Sequence, residues 1–189
     1  MKADNIPKTT NPDTWRYTPV LGKRPFLDDW LNHPHTFNEI DYSAYGYGLI
    51  LGPSSGGVVA IDFDGPLAVD YFYDELGFDL EDDPVCWTSS KTGRCQIAYL
   101  VAEKYWEHLN TTKIDLTIDP DDRQGLEFRW AGGQTVLPPS KHPDTGGNYT
   151  WINEPTATNY HIIPNRILAF WLDRCNQHTQ PQSLGNFRI

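Results

Sequence analysis

The sequence predicts an α+β domain with mainly antiparallel strands, and three observations carry that expectation. Short apolar runs of strand length recur in pairs around tight turns rich in Gly, Pro and Ser. Two segments have helical spacing of apolar residues behind a proline, beginning at Pro66 and Pro164. No repeat of solenoid period runs along the chain. Strand pairs with helices set between them point to segregated α and β structure around one sheet system.

Taken in order, residues 1–14 are polar and aperiodic and read as a flexible leader, with one domain over residues 15–175. Thr18 to Trp30 carries a turn at Leu21-Gly22-Lys23-Arg24-Pro25, then a short helical signal ending near Asn32. Gly46 to Gly52 and Val58 to Asp64 are strands joined by Pro53-Ser54-Ser55-Gly56-Gly57, a composition that predicts a hairpin. Pro66 to Leu76 is a helix with Gly77 placed to cap it, and acidic Asp79 to Asp83 is a solvated loop. Val85 to Ser89 and Gln96 to Val101 form a second strand pair about the turn Ser90 to Arg94. A short helix over Glu103 to Leu109 precedes a stretch without clear pattern. Leu126 to Trp130 and Thr135 to Leu137 are strands around Gly132-Gly133, and Pro138-Pro139-Ser140 ends the second. A turn at Asp144 to Gly147 leads into a strand, Tyr149 to Ile152. Asn165 to Asn176 is a helix, and residues 176–189 read as a polar linker or tail.

Composition narrows the classes. With 39% hydrophobic residues and 189 positions, the chain can bury a core without disulfides or a structural metal. Its seven Trp, ten Tyr and eight Phe argue against disorder. No run of apolar residues is long enough for a membrane span, and the start lacks the apolar core of a secretory signal. Cys86, Cys95 and Cys175 have no metal-ligand spacing and read as reduced thiols, so a cytoplasmic location is expected. A net charge of -10 counts against non-specific coating of duplex DNA and leaves room only for a local basic groove. Lys23 and Arg24, in a glycine-proline turn, are candidates for such a groove.

The sharpest chemical element is Ile61-Asp62-Phe63-Asp64. Alternation on a strand puts Asp62 and Asp64 on one face while Ile61 and Phe63 enter the core. Two carboxylates about 7 Å apart on one face repel unless a cation lies between them. Oxygen ligands of this kind suit Mg2+ or Mn2+, although the same residues also fit a solvated strand end. Glu127 and Arg129 share a face of their strand in the same way. Asp62, Asp64 and Glu127 on one sheet would supply the acids of a two-metal phosphoryl-transfer site. Two turns have the makings of phosphate grips: Thr88 to Gln96, with Ser90, Lys91 and Arg94, and Pro138 to His142, with Ser140, Lys141 and His142. No G-x-x-x-x-G-K-[S/T] phosphate loop, G-x-S-x-G nucleophile turn or H-x-x-x-H zinc pair is present.

Four segments in one order, Thr18 to Trp30, Gly48 to Asp64, Thr88 to Tyr99 and Leu126 to Trp151, resemble the bifunctional primase-polymerase domain of the archaeo-eukaryotic primase superfamily. The likeness is to the branch found in plasmid, phage and mobile-element replication proteins and runs from about residue 15 to 172. It implies an RRM-like, mainly antiparallel catalytic sheet with flanking helices and a smaller N-terminal αβ unit. It implies template-directed synthesis of DNA or RNA primers from nucleoside triphosphates, with Mg2+ or Mn2+, on a single-stranded or primed DNA template. A fused or associated helicase is the implied partner. By the same likeness Asp62, Asp64 and Glu127 are the catalytic, metal-binding acids. Ser90, Lys91, Arg94, Gln96, Arg129, Ser140 and His142 are the implied nucleotide-binding set. One departure is that Cys95-Gln96 stands where the family's second motif usually ends in histidine. The alternative is a catalytically weak nucleotide- or origin-binding module of a larger replication protein. A metal-dependent nuclease would use similar acids but leaves both phosphate-binding turns unexplained.

Overall fold

The computed structural model describes residues 12–41, 45–77, 84–89, 91–156 and 161–179. The expected leader (to residue 11), the acidic loop, Ser90 and the end of the tail lie outside the described residues. The fold is α+β and its strand pairs are antiparallel. Strands β1 (Tyr17–Leu21), β2 (Arg24–Pro25), β3 (Gly46–Ile50) and β9 (Gln134–Val136) make a four-stranded sheet in the order β2-β1-β3-β9. The larger sheet has six strands: β4 (Val58–Asp64), β5 (Val85–Thr88), β6 (Arg94–Leu100), β7 (Thr112–Asp115), β8 (Gly125–Arg129) and β10 (Thr150–Asn153), in the order β10-β5-β6-β4-β8-β7. Helices α1 (Pro66–Leu76) and α2 (Asn165–Thr179) pack against it.

Alternation along β4 explains the layering. Val59, Ile61 and Phe63 enter a core shared with Phe72 of α1 and Trp171 of α2. Val58 and Ala60 enter a second core, against Tyr17, Tyr47 and Leu49 of the small sheet. A strand buried on both faces is read as a continuous apolar run, and VVAI is one. Helix α1 starts on Pro66, where a missing N–H is harmless, and the Leu67 N–H donates to Gln124 Oε1 at 2.9 Å. It stops at Gly77, whose left-handed φ of 53° lets its N–H reach the Tyr73 carbonyl at 2.7 Å. Among the described residues no helix is long and apolar enough to cross a membrane.

The structure corrects several expectations. Residues 46–64 do not form a hairpin: β3 belongs to the small sheet and β4 to the large one. The loop between them, with a 3-10 turn at Pro53–Ser55, carries the chain from one sheet to the other. The segment β8 to β9 makes the same kind of crossing at Ala131 to Gly133. Each pair has apolar residues that must be covered on both faces, and splitting the strands between two sheets achieves this where a flat hairpin would not. The helical signal near 27–32 is a run of turns, with Asp29 at φ 53° and Asn32 Nδ2 donating to Asp29 Oδ1 at 2.6 Å. Phe26, Leu27 and Leu31 are each left more than a third exposed there, so no fully buried face sustains a helix and local side-chain bonds win. The small unit is completed by β9 from the later half of the chain and, among the described residues, carries no α-helix. The expected helix at 103–109 is a 3-10 helix, Glu103–His108. Strand β7 escaped notice because an edge strand with one partner needs little apolar pattern. Helix α2 continues past Asn176 to Thr179, with Gln177 Nε2 donating to Asp173 Oδ2 at 2.6 Å on its exposed side.

The two sheet crossings touch. Gly52 has φ 83°, and a Cβ added there would lie 2.7 Å from Ala131 Cβ and 2.9 Å from its Cα. Gly52→Ala should therefore destabilise the fold by about 2 kcal/mol or more, from strain plus collision with backbone. A lowered urea midpoint at unchanged slope would report it; a midpoint equal to wild type would mean the crossing is pliable.

Candidate active site

The alternation that sends Ile61 and Phe63 toward the helices turns Asp62 and Asp64 toward the small sheet. In register, Asp62 lies opposite Gln96 on β6 and Glu127 on β8, while Asp64 lies opposite Arg94. Leu126 and Phe128 join the helix-side core, so Glu127 and Arg129 face the same way as the two aspartates. The apolar filling between the sheets includes Ala60, and from Asp62 onward a cleft of about 370 Å³ opens. From the small sheet it is lined by Gly133, Gln134 and Val136.

Each acid in the cleft is met by a guanidinium. Arg129 Nη2 lies 2.5 Å from Asp62 Oδ2, and its Nε donates to Glu127 Oε2 at 2.9 Å. Arg94 Nη1 donates to Asp64 Oδ1, and its Nη2 donates to the Arg123 carbonyl at 3.2 Å. Only 17% of the Asp62 side chain is exposed. Burial pushes the Asp62 carboxyl above its usual range; Arg129 opposes this, and Asp64 and Glu127 add to it. For Arg129 burial works against the charge, but Asp62 and Glu127 outweigh it and hold the guanidinium protonated more firmly than usual.

Gln96 acts as a strut. Thr135 Oγ1, fully buried on β9, donates to Gln96 Oε1, which leaves the amide nitrogen to donate to the Asp62 carboxylate. A side chain of the small sheet thus orients an acid of the large one. Trp87 ties the same two sheets, its Nε1 donating to the Val136 carbonyl at 3.0 Å. Thr135, Trp87 and Tyr149, which also lines the cleft, were not singled out from sequence. Their signal was alternation, and it needed the sheet partners to be known. Burial pushes the Tyr149 hydroxyl up to about 12, with Asp62 adding to the shift.

The structure thus gathers Asp62, Asp64, Glu127, Arg94, Gln96, Arg129 and His142 around one cleft. Lys23 joins them from the β1–β2 turn, held by its carbonyl to Gln134 Nε2 at 2.9 Å and by an ion pair to Asp144 at 3.7 Å. Ser140 is not in the lining: its buried hydroxyl accepts from Tyr47 N–H at 3.0 Å and pins the proline turn to β3. Lys91 also lies off the lining, though near enough for its charge to act on His142. His142 is buried, and its Nδ1 accepts from the N–H groups of Asp144 at 3.2 Å and Thr145 at 3.4 Å. The Nε2–H is then the donor left for the cleft. The oxygen donors for a hard cation are Asp62, Asp64 and Glu127. With the two arginines inserted among them, no three acidic, His or Cys side chains of the described residues form a metal-holding group.

A family model described as bifunctional DNA primase/polymerase, N-terminal, matches residues 10–166, most of the chain. No curated protein matches it.

Burial, then Lys23, hold the His142 imidazole below its usual range, against a smaller upward pull from Asp144. As pH falls below about 6.5, the unfolded chain takes up a proton that the folded one refuses, so stability is lost toward acid and present above that pH. His142→Gln should flatten the dependence of melting temperature on pH between about 5 and 7. Nitrogen-15 NMR of wild type should show the Nε2–H tautomer at pH 7. A doubly protonated ring there would contradict the assignment.

Proposed function

The chain belongs to the bifunctional DNA primase/polymerase family, and from that premise we propose that its cleft carries out metal-dependent nucleotidyl transfer on a DNA template. The observation that carries the reading is the row Gln96–Asp62–Glu127, in register on three neighbouring strands, with Asp64 beside it and two arginines in the same cleft. A polymerising site needs hard oxygen ligands and fixed cations around a triphosphate, and little covalent chemistry from the protein.

Asp62, Asp64 and Glu127 would hold Mg2+ or Mn2+, because carboxylate oxygens on one face match the preference of these ions. A divalent cation bound there would neutralise phosphate charge and ease ionisation of the attacking 3′-hydroxyl. Arg94 and Arg129 are the forks suited to triphosphate oxygens, each able to hold two at once. Gln96 keeps Asp62 oriented through Thr135, a task that needs no charge and so accommodates glutamine in the histidine's place. The neutral His142 Nε2–H and the Lys23 ammonium, near the hairpin tip, complete the donor side of the cleft. Template contact would be electrostatic and modest, since the whole chain carries a net charge of -10. A helicase linked to the domain would then supply much of the DNA affinity.

Incorporation of labelled nucleotide on a primed template with Mn2+ tests the reading. Asp62→Asn/Asp64→Asn should keep the fold, shown by circular dichroism, and lower incorporation by about a thousandfold or more. Undiminished incorporation by that variant would sink the assignment. Wild type that binds nucleotide yet incorporates none would instead favour a binding module. A second comparison separates grip from orientation. Arg94→Ala should raise the nucleotide KM by roughly tenfold or more, the weight of a charge-assisted bond. Gln96→Ala should act mainly on kcat, because it releases Asp62 without removing a positive charge. The opposite split would make Gln96 a phosphate ligand.

A further inference from the structure

Arg129 is placed to do more than bind phosphate. Its backbone lies opposite Ala60, one step deeper between the sheets than the acidic row. Ala60 has only a methyl group to fill that position, so the Arg129 side chain can lie across the sheet toward Asp62 and Glu127. The guanidinium then spans the two acids, Nη2 to Asp62 Oδ2 at 2.5 Å and both Nε and Nη2 to Glu127 Oε2 at 2.9 Å. Directly opposed residues on neighbouring strands have Cβ atoms about 5 Å apart, so the two carboxylates repel strongly unless a cation bridges them. A divalent cation coordinated by these acids would draw on the same two carboxylates that now accept from Arg129.

We propose that Arg129 is an internal counter-ion that competes with the divalent cation for Asp62 and Glu127, so that cation and nucleotide bind cooperatively. This rests on the nucleotidyl-transfer reading above and deepens it. The competition is one of charge and space. An entering ion must detach a half-buried guanidinium, and that guanidinium keeps its charge and needs a new anion. Behind it lies apolar core between the sheets, and before it lies the cleft. Triphosphate oxygens in the cleft are the anion that satisfies it, so nucleotide removes the penalty that the cation alone must meet. By linkage the effect is reciprocal: cation strengthens nucleotide binding by the same factor. The device also offsets part of the negative charge of the acidic row when neither ligand is bound.

Calorimetric titration of Mn2+ at pH 7.5, without nucleotide or template, tests this directly. Arg129→Met keeps the aliphatic stem and removes the charge, and it should bind Mn2+ about tenfold tighter than wild type, a modest coupling for two sites. A deoxynucleoside triphosphate with a non-hydrolysable α,β-imido link should tighten Mn2+ binding to wild type by a similar factor and to Arg129→Met far less. Equal or weaker Mn2+ binding by the variant, or no binding to either protein, would overturn the proposal. Should Arg129→Met fail to fold, the wild-type Arg129 Nε–H signal is followed by NMR during Mg2+ titration. It should shift and broaden as the ion pair opens, and an unchanged signal at saturating Mg2+ would overturn the proposal equally. Loss of the polymerase reading is distinguishable, because it would appear as absent incorporation with the cation competition intact.

Discussion

The constraint on which the rest depends is the position of Asp62 on β4, the strand that lies inside the large sheet and is covered on both faces. Its carboxylate has little access to water, and Glu127 stands directly opposite. Two like charges at about 4 Å repel by about 4 kcal/mol even at an effective dielectric of about 20. That is a large share of the 5–15 kcal/mol that holds a typical domain folded. A cation in the row therefore relieves a cost that is large on the scale of folding, whatever the row does chemically. Arg129 is that cation in the structure, and Arg94 answers Asp64 in the same way.

The second sheet makes this charge cluster a cleft and keeps it from being an exposed strip. It closes over Val58 and Ala60, then parts at Asp62. The gap is held open at a fixed width by groups that reach across it: Trp87 to the Val136 carbonyl, and Thr135 to Gln96. The small sheet can do this because the chain enters it twice, through Tyr17 to Ile50 and again through β9. Gly52 and Ala131, where the two crossings meet, fix the relation of the layers. The loop from Ser140 to Tyr149 is anchored by the Ser140 hydroxyl and the His142 ring, so two residues that look like phosphate ligands serve first to hold the rim.

Much of the site was legible in the sequence because strand alternation is a local property with a period of two residues. It placed Asp62 with Asp64 and Glu127 with Arg129, and it sent Ile61, Phe63, Leu126 and Phe128 to the core. Prolines and glycines marked both helix starts and the α1 cap, since their effects act on the backbone where they stand. The order of motifs was enough to identify the family, which the match over residues 10–166 bears out.

Pairing belongs to another class of information. Nothing local distinguishes a Gly-rich hairpin from a Gly-rich step between sheets, so residues 46–64 read as a hairpin when they span two layers, as residues 126–136 also do. Which apolar faces need covering is settled by the whole chain. The same holds for electrostatics: that Arg129 would reach back to Asp62, and that Gln96 would be oriented by Thr135, depended on neighbours distant in sequence. Strand alternation was enough to name the acids and the face they share. Which cations stand among them follows from the packing, because charge partners are chosen by distance in space and burial, and both arise once the two sheets have closed on each other.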